Sequence, residues 1–198
     1  MLRNSKDSFG LVSILFHWII ALIFLGQIAL GYCMTRVENV TLQFNLFQWH
    51  KSFGFLVLGL SALRALWMVA GTHPRAGGTG PFEQKAARAV HLLLYLALFL
   101  VPLTGWAIAS ASSLRIPTFL FNLVVIPHLP LAISDGAEAF WAVNHAWLAY
   151  GAAVVAGGHS LAALYHHFCT RDATLMRMLD PRVIGADRTA PTREENTP

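Results

Sequence analysis

The chain has 198 residues, 56% of them hydrophobic and only 12% charged, with a formal net charge of +4. A soluble domain carries about 25% charged residues, so these figures exclude an ordinary water-soluble enzyme and point to an integral membrane protein. The cysteines, Cys33 and Cys169, supply neither a disulfide framework nor a metal quartet.

In chain order, MLRNSKDSFG leads into a first apolar run, Leu11–Met34. That run is longer than a signal-peptide core and is expected to be a retained span. Further spans are expected at His50–Ala70, Ala89–Ala111 and Phe140–Cys169, since a hydrocarbon core needs about 20 apolar residues. The last is long enough to tilt or protrude. THPRAGGTGPFEQKAAR, between the second and third, reads as a Gly/Pro-rich loop and a polar lead-in to a helix, with His73 a loop residue. SSLRIPTFLFNLVVIPHLPLAISDGAE, between the third and fourth, is apolar, but Pro117, Pro127 and Pro130 break any full-length span. It is expected to lie at the interface and cover one end of a bundle, with His128 in it. The fold class is therefore all-α: an integral membrane four-helix bundle over residues 1–180, followed by a disordered tail, 181–198.

Lysine and arginine set the orientation. The N-terminal tail, the second connection and the C-terminal tail, with the adjoining helix ends, hold Arg3, Lys6, Arg64, Arg75, Lys85, Arg88, Arg171, Arg177, Arg182, Arg188 and Arg193. The other two connections hold Arg36, Lys51 and Arg115. Both termini are expected to be cytoplasmic.

Polar side chains inside a bilayer are costly and usually functional, which draws attention to the histidines. In this orientation His17 lies at the inner end of the first span and His50 at the outer end of the second. His145 is outer and His159 inner on the fourth. Depth alone pairs His17 with His159 and His50 with His145. Fourteen helical residues return to within about 40° of one face and cover about 21 Å, so one face of the fourth helix presents two imidazoles near opposite membrane surfaces. A tetrahedral zinc site wants four ligands, usually with Cys or carboxylate among them. An iron porphyrin asks the protein for only two axial ligands, which histidines on facing helices supply. No C-x-x-C-H run offers covalent attachment, so the haems are expected to be non-covalent. Gly54, Gly151, Ala152, Ala153, Ala156, Gly157 and Gly158 leave room for a ring. The ring nitrogens not on iron are expected to donate to carbonyls or side chains. With both axial positions filled, electron transfer is favoured over oxygen chemistry.

Other polar residues have secondary roles. His91 opens the third span near the inner surface, and His166 follows His159 by seven residues on nearly the same face; both are candidates for a quinone headgroup. His167 points elsewhere and is expected to be exposed. Arg64 lies deep enough to need a partner, and a haem propionate is a candidate. The tryptophans near span ends read as interfacial anchors.

The ordered set "LFHW" at His17, "WHKSFG" at His50, "HLLLYLALFLVPLTGW", "NHAWLAYG" at His145 and "GGHSLAALYHHF…RDATLMRML" resembles the bacterial cytochrome b561 family, related to the cytochrome b subunits of nickel hydrogenases. The resemblance covers roughly residues 8 to 180. It implies four helices and two b-type haems, with axial ligands at His17, His50, His145 and His159. It also implies electron exchange with a membrane quinone, ubiquinone in particular, near His166. It departs at Met68, where the family pattern has a second basic residue, so no contact from that position carries over.

The expected function is a diheme b-type cytochrome of the bacterial inner membrane that exchanges electrons with quinone. In some members of the family it acts as a superoxide:ubiquinone oxidoreductase. Arg36, Lys51 and Arg115 on the outer side give thin support to anion steering. One alternative is an anchor subunit passing electrons from a periplasmic dehydrogenase or hydrogenase to quinone. Another, of a different class, is a haem-free small transporter. No nucleic-acid partner is expected.

Overall fold

A computed structural model describes residues 2–6, 8–72 and 80–183. His73 and most of the expected tail lie outside the described residues. Four long helices dominate: α1 (Leu11–Met34), α2 (Val40–Val69), α3 (Pro81–Ala111) and α4 (Asp135–Tyr165). All four are long and apolar enough to cross a membrane.

Helices α2, α3 and α4 begin earlier than the apolar runs suggest, α2 at Val40 rather than His50. The reason is capping. The Asn39 side chain accepts the Leu42 amide at 2.9 Å, and that of Ser134 accepts Ala137 at 3.1 Å. Pro81 takes the first helical position of α3, where its missing N–H does no harm, and Glu83 reaches back to the Gly80 amide. Hydropathy marks the segment that suits lipid, whereas the helix runs on until a capping side chain satisfies its end.

The helices form a ring in which α1 packs on α2, α2 on α3, α3 on α4 and α4 back on α1, the last contact being the slightest. The apolar core is small: Ile20, Phe24, Val57, Leu98, Val101 and Ala152. Helix α4 buries only Ala152. Large apolar side chains instead face outward, Leu22, Leu66, Val154 and Leu161 among them, as expected where lipid is the solvent.

The described segments flanking α1 and α4 on their terminal sides lie at one end of the bundle, here the tail end. The Trp18 indole donates to the Met178 carbonyl at 2.7 Å, and the Asn4 side chain accepts from the Gly10 amide and the Ser13 hydroxyl. The opposite end is covered by a strap, residues 112–134. It holds a small antiparallel hairpin, β1 (Thr118–Leu120) with β2 (Val124–Ile126), which the sequence does not announce. The turn places Phe121 and Asn122 at φ 49° and 59°. Such a turn usually selects Asn and Gly, not Phe.

Helix α2 holds the hairpin down. Gln48 donates to the Pro117 carbonyl and accepts the Phe119 amide, while Ser52 donates to the Phe119 carbonyl and accepts the Phe121 amide. Gln48 and Ser52 bracket His50, so the strap is anchored within a turn of that histidine. Ser52 is 2% exposed. Ser52→Ala leaves a half-buried amide and carbonyl without their partner and is expected to destabilise the strap by about 1 kcal/mol. Faster hydrogen exchange at the Phe121 amide, with helix α2 unchanged, is the readout.

Candidate functional site

The structure brings the four deep histidines together as two pairs. At the strap end, the rings of His50 (α2) and His145 (α4) stand 6.1 Å apart, centre to centre, with planes at 83°. Toward the tail end, His17 (α1) and His159 (α4) stand 6.3 Å apart with planes at 72°. An iron–nitrogen bond of about 2.0 Å and about 1.1 Å more to the ring centre put two imidazoles on opposite sides of one iron about 6.2 Å apart. Both pairs have that spacing.

Around the strap-end pair, the space fits a flat tetrapyrrole. A cavity of about 780 Å³ is lined by Gly31, His50, Gly54, Gly105, His145 and Ala149 among others. Cofactor-sized pockets occupy about 300–1,000 Å³. A Cβ on Gly31 would lie 3.2 Å from Cε1 of His50, and one on Gly105 would lie 3.2 Å from Cε1 of His145. Each ring therefore sits where a Cβ on the facing helix would press on it, so that the ring would have to give by a few tenths of an ångström. Glycine inside a helix costs about 1 kcal/mol relative to alanine, so the close approach gives these positions a reason.

The second nitrogens differ between the two strap-end rings. Nδ1 of His145 lies 2.9 Å from the Val101 carbonyl and 3.1 Å from the Thr104 hydroxyl. Thr104 donates to the Leu100 and Val101 carbonyls, so Nδ1–H of His145 donates to Val101 and Nε2 is left free for a metal. The His50 carbonyl accepts from Gln27 at 2.6 Å, which ties α1 to α2 at this depth. Nδ1 of His50 is buried without a hydrogen-bond partner among the described residues. Iron held at Nε2 would not satisfy this atom, so the outer hydrogen bond seen at His145 has no counterpart at His50 among the described residues.

Three imidazoles meet in the tail-end half. The His91 ring lies 5.3 Å from that of His159, too short for two ligands on opposite sides of one iron. His17 is the partner at the right spacing, and His91 stands beside the pair. Trp18 packs edge-on against His17 at 5.3 Å. Arg64 lies within electrostatic reach of His17, His91 and His159, and its guanidinium stands 5.3 Å from the Tyr95 ring centre. The Tyr95 hydroxyl in turn meets the Met68 sulfur. Arg64 is thus placed by an aromatic ring and a histidine cluster.

His166 lies beyond, at the end of α4, bonded to Asp172. His128 lies in the strap. His167 lies in the same terminal turn as His166. Sequence reasoning missed Gly31, Gly105, Thr104, Tyr95 and Asp172. Interior helical glycines were a readable signal for the first two; the others depend on helix rotation.

Among the described residues, no group of three or more His, Cys, Asp or Glu is arranged to hold a bare metal ion.

Comparison with known proteins covers the same ground. Residues 8–181 match the family described as prokaryotic cytochrome b561. The chain is 36% identical over 180 residues to cytochrome b561 homolog 2 of Escherichia coli (strain K12), covering 89% of this chain and 93% of that one. It is 32% identical over 131 residues to the probable superoxide oxidase CybB of Yersinia pestis, covering 66% and 72% of the two chains. Cytochrome b561 homolog 1 of Escherichia coli (strain K12) is 30% identical over 103 residues, or 51% and 55%. The haem-free transporter reading falls with these matches. Since the match runs through all four helices and both histidine pairs, the chain belongs to the prokaryotic cytochrome b561 family, haem-containing electron carriers of the membrane.

Proposed function

We propose that the protein holds two b-type haems, one between His50 and His145 and one between His17 and His159, and moves electrons between the two faces of the membrane. The observation that carries this reading is the pair of ring separations, 6.1 and 6.3 Å, at two depths along one face of α4. The excess of lysine and arginine at the tail end supports a cytoplasmic tail end and an outer strap end.

Each bound haem supplies a one-electron couple. The protein's part is orientation and exclusion. Val101 fixes the His145 ring through its carbonyl. Gly31 and Gly105 let the helices close on the rings. The strap, pinned by Gln48 and Ser52, covers the outer end. Arg64 sets a positive charge beside the inner pair, where it suits a propionate. With two imidazoles holding each haem, the iron would carry electrons and would not bind oxygen.

The electron partner at the inner end is a membrane quinone such as ubiquinone, with His166 and His91 as the groups nearest it. The relative named as a probable superoxide oxidase suggests superoxide as an outer donor. A second reading, an anchor for a periplasmic redox partner, draws on the strap, where Leu114, Leu123 and Val124 are exposed. Stopped-flow mixing of the oxidised protein with superoxide, with and without a short-chain ubiquinone, separates the two. Haem reduction within the mixing experiment, followed by quinone-dependent reoxidation, is expected. Haem that superoxide leaves oxidised, but that a co-purifying cluster-bearing partner reduces, favours the anchor.

A further inference from the structure

Helix α4 does not stop cleanly. It runs into a π-helical turn, His166–Thr170, that ends at Arg171 with a left-handed backbone at φ 54°. Turns of this kind are frequent at functional sites. The reversal returns Asp172 to the helix end. Its Oδ2 lies 2.5 Å from Nδ1 of His166 and accepts the Thr170 hydroxyl at 3.0 Å. Its Oδ1 accepts the Thr174 amide at 2.8 Å. The amides of Arg171 and Asp172 both close on the His166 carbonyl. This is more structure than a helix end needs.

Asp172 is ionised at neutral pH. Burial pushes its pKa up, but bonds from Thr174, His166 and Thr170 outweigh this and bring it down to about 2. An ionised carboxylate only accepts, so Nδ1 of His166 carries the proton and Nε2 is left as the working nitrogen. The other groups around His166 are Thr170, whose hydroxyl lies 3.3 Å from Nδ1, and Tyr165, whose ring centre lies 6.1 Å away. Arg171 and His167 adjoin it in the chain, and His159 lies two turns back on α4.

We propose that Asp172 is a positioning residue that holds His166 with Nδ1–H on the carboxylate and Nε2 toward a quinone oxygen, so that His166 passes the proton that accompanies electron transfer there. This rests on the quinone reading above. In the reducing direction, a quinone takes two protons and two electrons and leaves as quinol; the electrons come one at a time from an outer donor such as superoxide, by way of the haem that His17 and His159 would hold. The His166 imidazolium gives one proton from Nε2 and keeps Nδ1–H on Asp172. Water at the tail end returns that proton and supplies the second. Quinol oxidation is the reverse.

The test uses the full chain, haem-loaded in detergent, with 15N-labelled histidine. The expected result is neutral His166 as the Nδ1–H tautomer in the wild type. Asp172→Asn is expected to weaken short-chain ubiquinone binding about tenfold and to move the alkaline limb of quinone-dependent haem oxidation, where the proton-donating imidazolium is lost, to lower pH. Asp172→Glu restores both. His166→Gln, which leaves Asp172 bonded to Thr170 and Thr174, also weakens quinone binding at unchanged haem content. A neutral His166 protonated on Nε2 overturns the proposal, even if Asp172→Asn fails to fold. So does an Asp172→Asn protein with wild-type quinone affinity and pH profile. A wild type that binds no quinone overturns the quinone reading itself, and this proposal with it.

Discussion

Replacing His145 with alanine is expected to take haem content from about two per chain to about one, and replacing His50 is expected to leave the same residual spectrum. The two variants report on one site because the two rings face each other across 6.1 Å. His17→Ala and His159→Ala are expected to share a different residual spectrum, that of the strap-end haem. The double variant His50→Ala/His145→Ala is expected to look like either single one. His91→Ala is expected to retain both haems, since its 5.3 Å approach to His159 does not fit an axial partner. Haem quantification and difference spectra across the six proteins check the pairing. Four unrelated spectra, or loss of haem on removing His91, would break it. The ring planes, at 83° and 72°, further predict strongly anisotropic low-spin ferric signals by electron paramagnetic resonance.

The second large effect comes from residues with no side chain. Gly105→Val and Gly31→Val each put a branched side chain where even a Cβ would lie 3.2 Å from a histidine ring carbon. Overpacking of this kind costs about 1–3 kcal/mol, which corresponds to about a 5- to 150-fold loss of haem affinity at the strap-end site. The tail-end haem is expected to remain. Gly26 and Gly59 are controls, because a Cβ there meets nothing within 4 Å. Their alanine variants are expected to keep both haems and to be slightly more stable, since alanine favours a helix by about 1 kcal/mol. Haem titration of apoprotein measures the difference. Equal affinity in Gly105→Val and Gly59→Ala would mean that the close approach does not matter.

Why the sequence shows some of this and hides the rest is a matter of geometry. Depth in a membrane follows from counting residues along a helix, so His17 and His159, or His50 and His145, can be matched in height from the chain alone. Rotation about the helix axis depends on neighbours. That is why the contact of His91 with His159, and the bond from His145 to Val101, escape a sequence reading. The early starts of α2 and α4 turn on Asn39 and Ser134, single capping residues outside the apolar runs. The strap was legible as an interruption because of Pro117, Pro127 and Pro130, but its hairpin was not. Its turn is set by tertiary bonds from Gln48 and Ser52, which hold Phe121 in a left-handed conformation that its own preferences oppose. In the sequence Asp172 stands beside Arg171 with nothing to mark it, and only the π-helical turn brings it to His166.

The most direct measurement is haem stoichiometry, taken with the reduced-minus-oxidised spectrum of the purified full chain. The two histidine pairs predict a b-type α-band and about two non-covalent haems per polypeptide. A single haem per chain, or a colourless preparation that binds none when haem is added, would contradict the account.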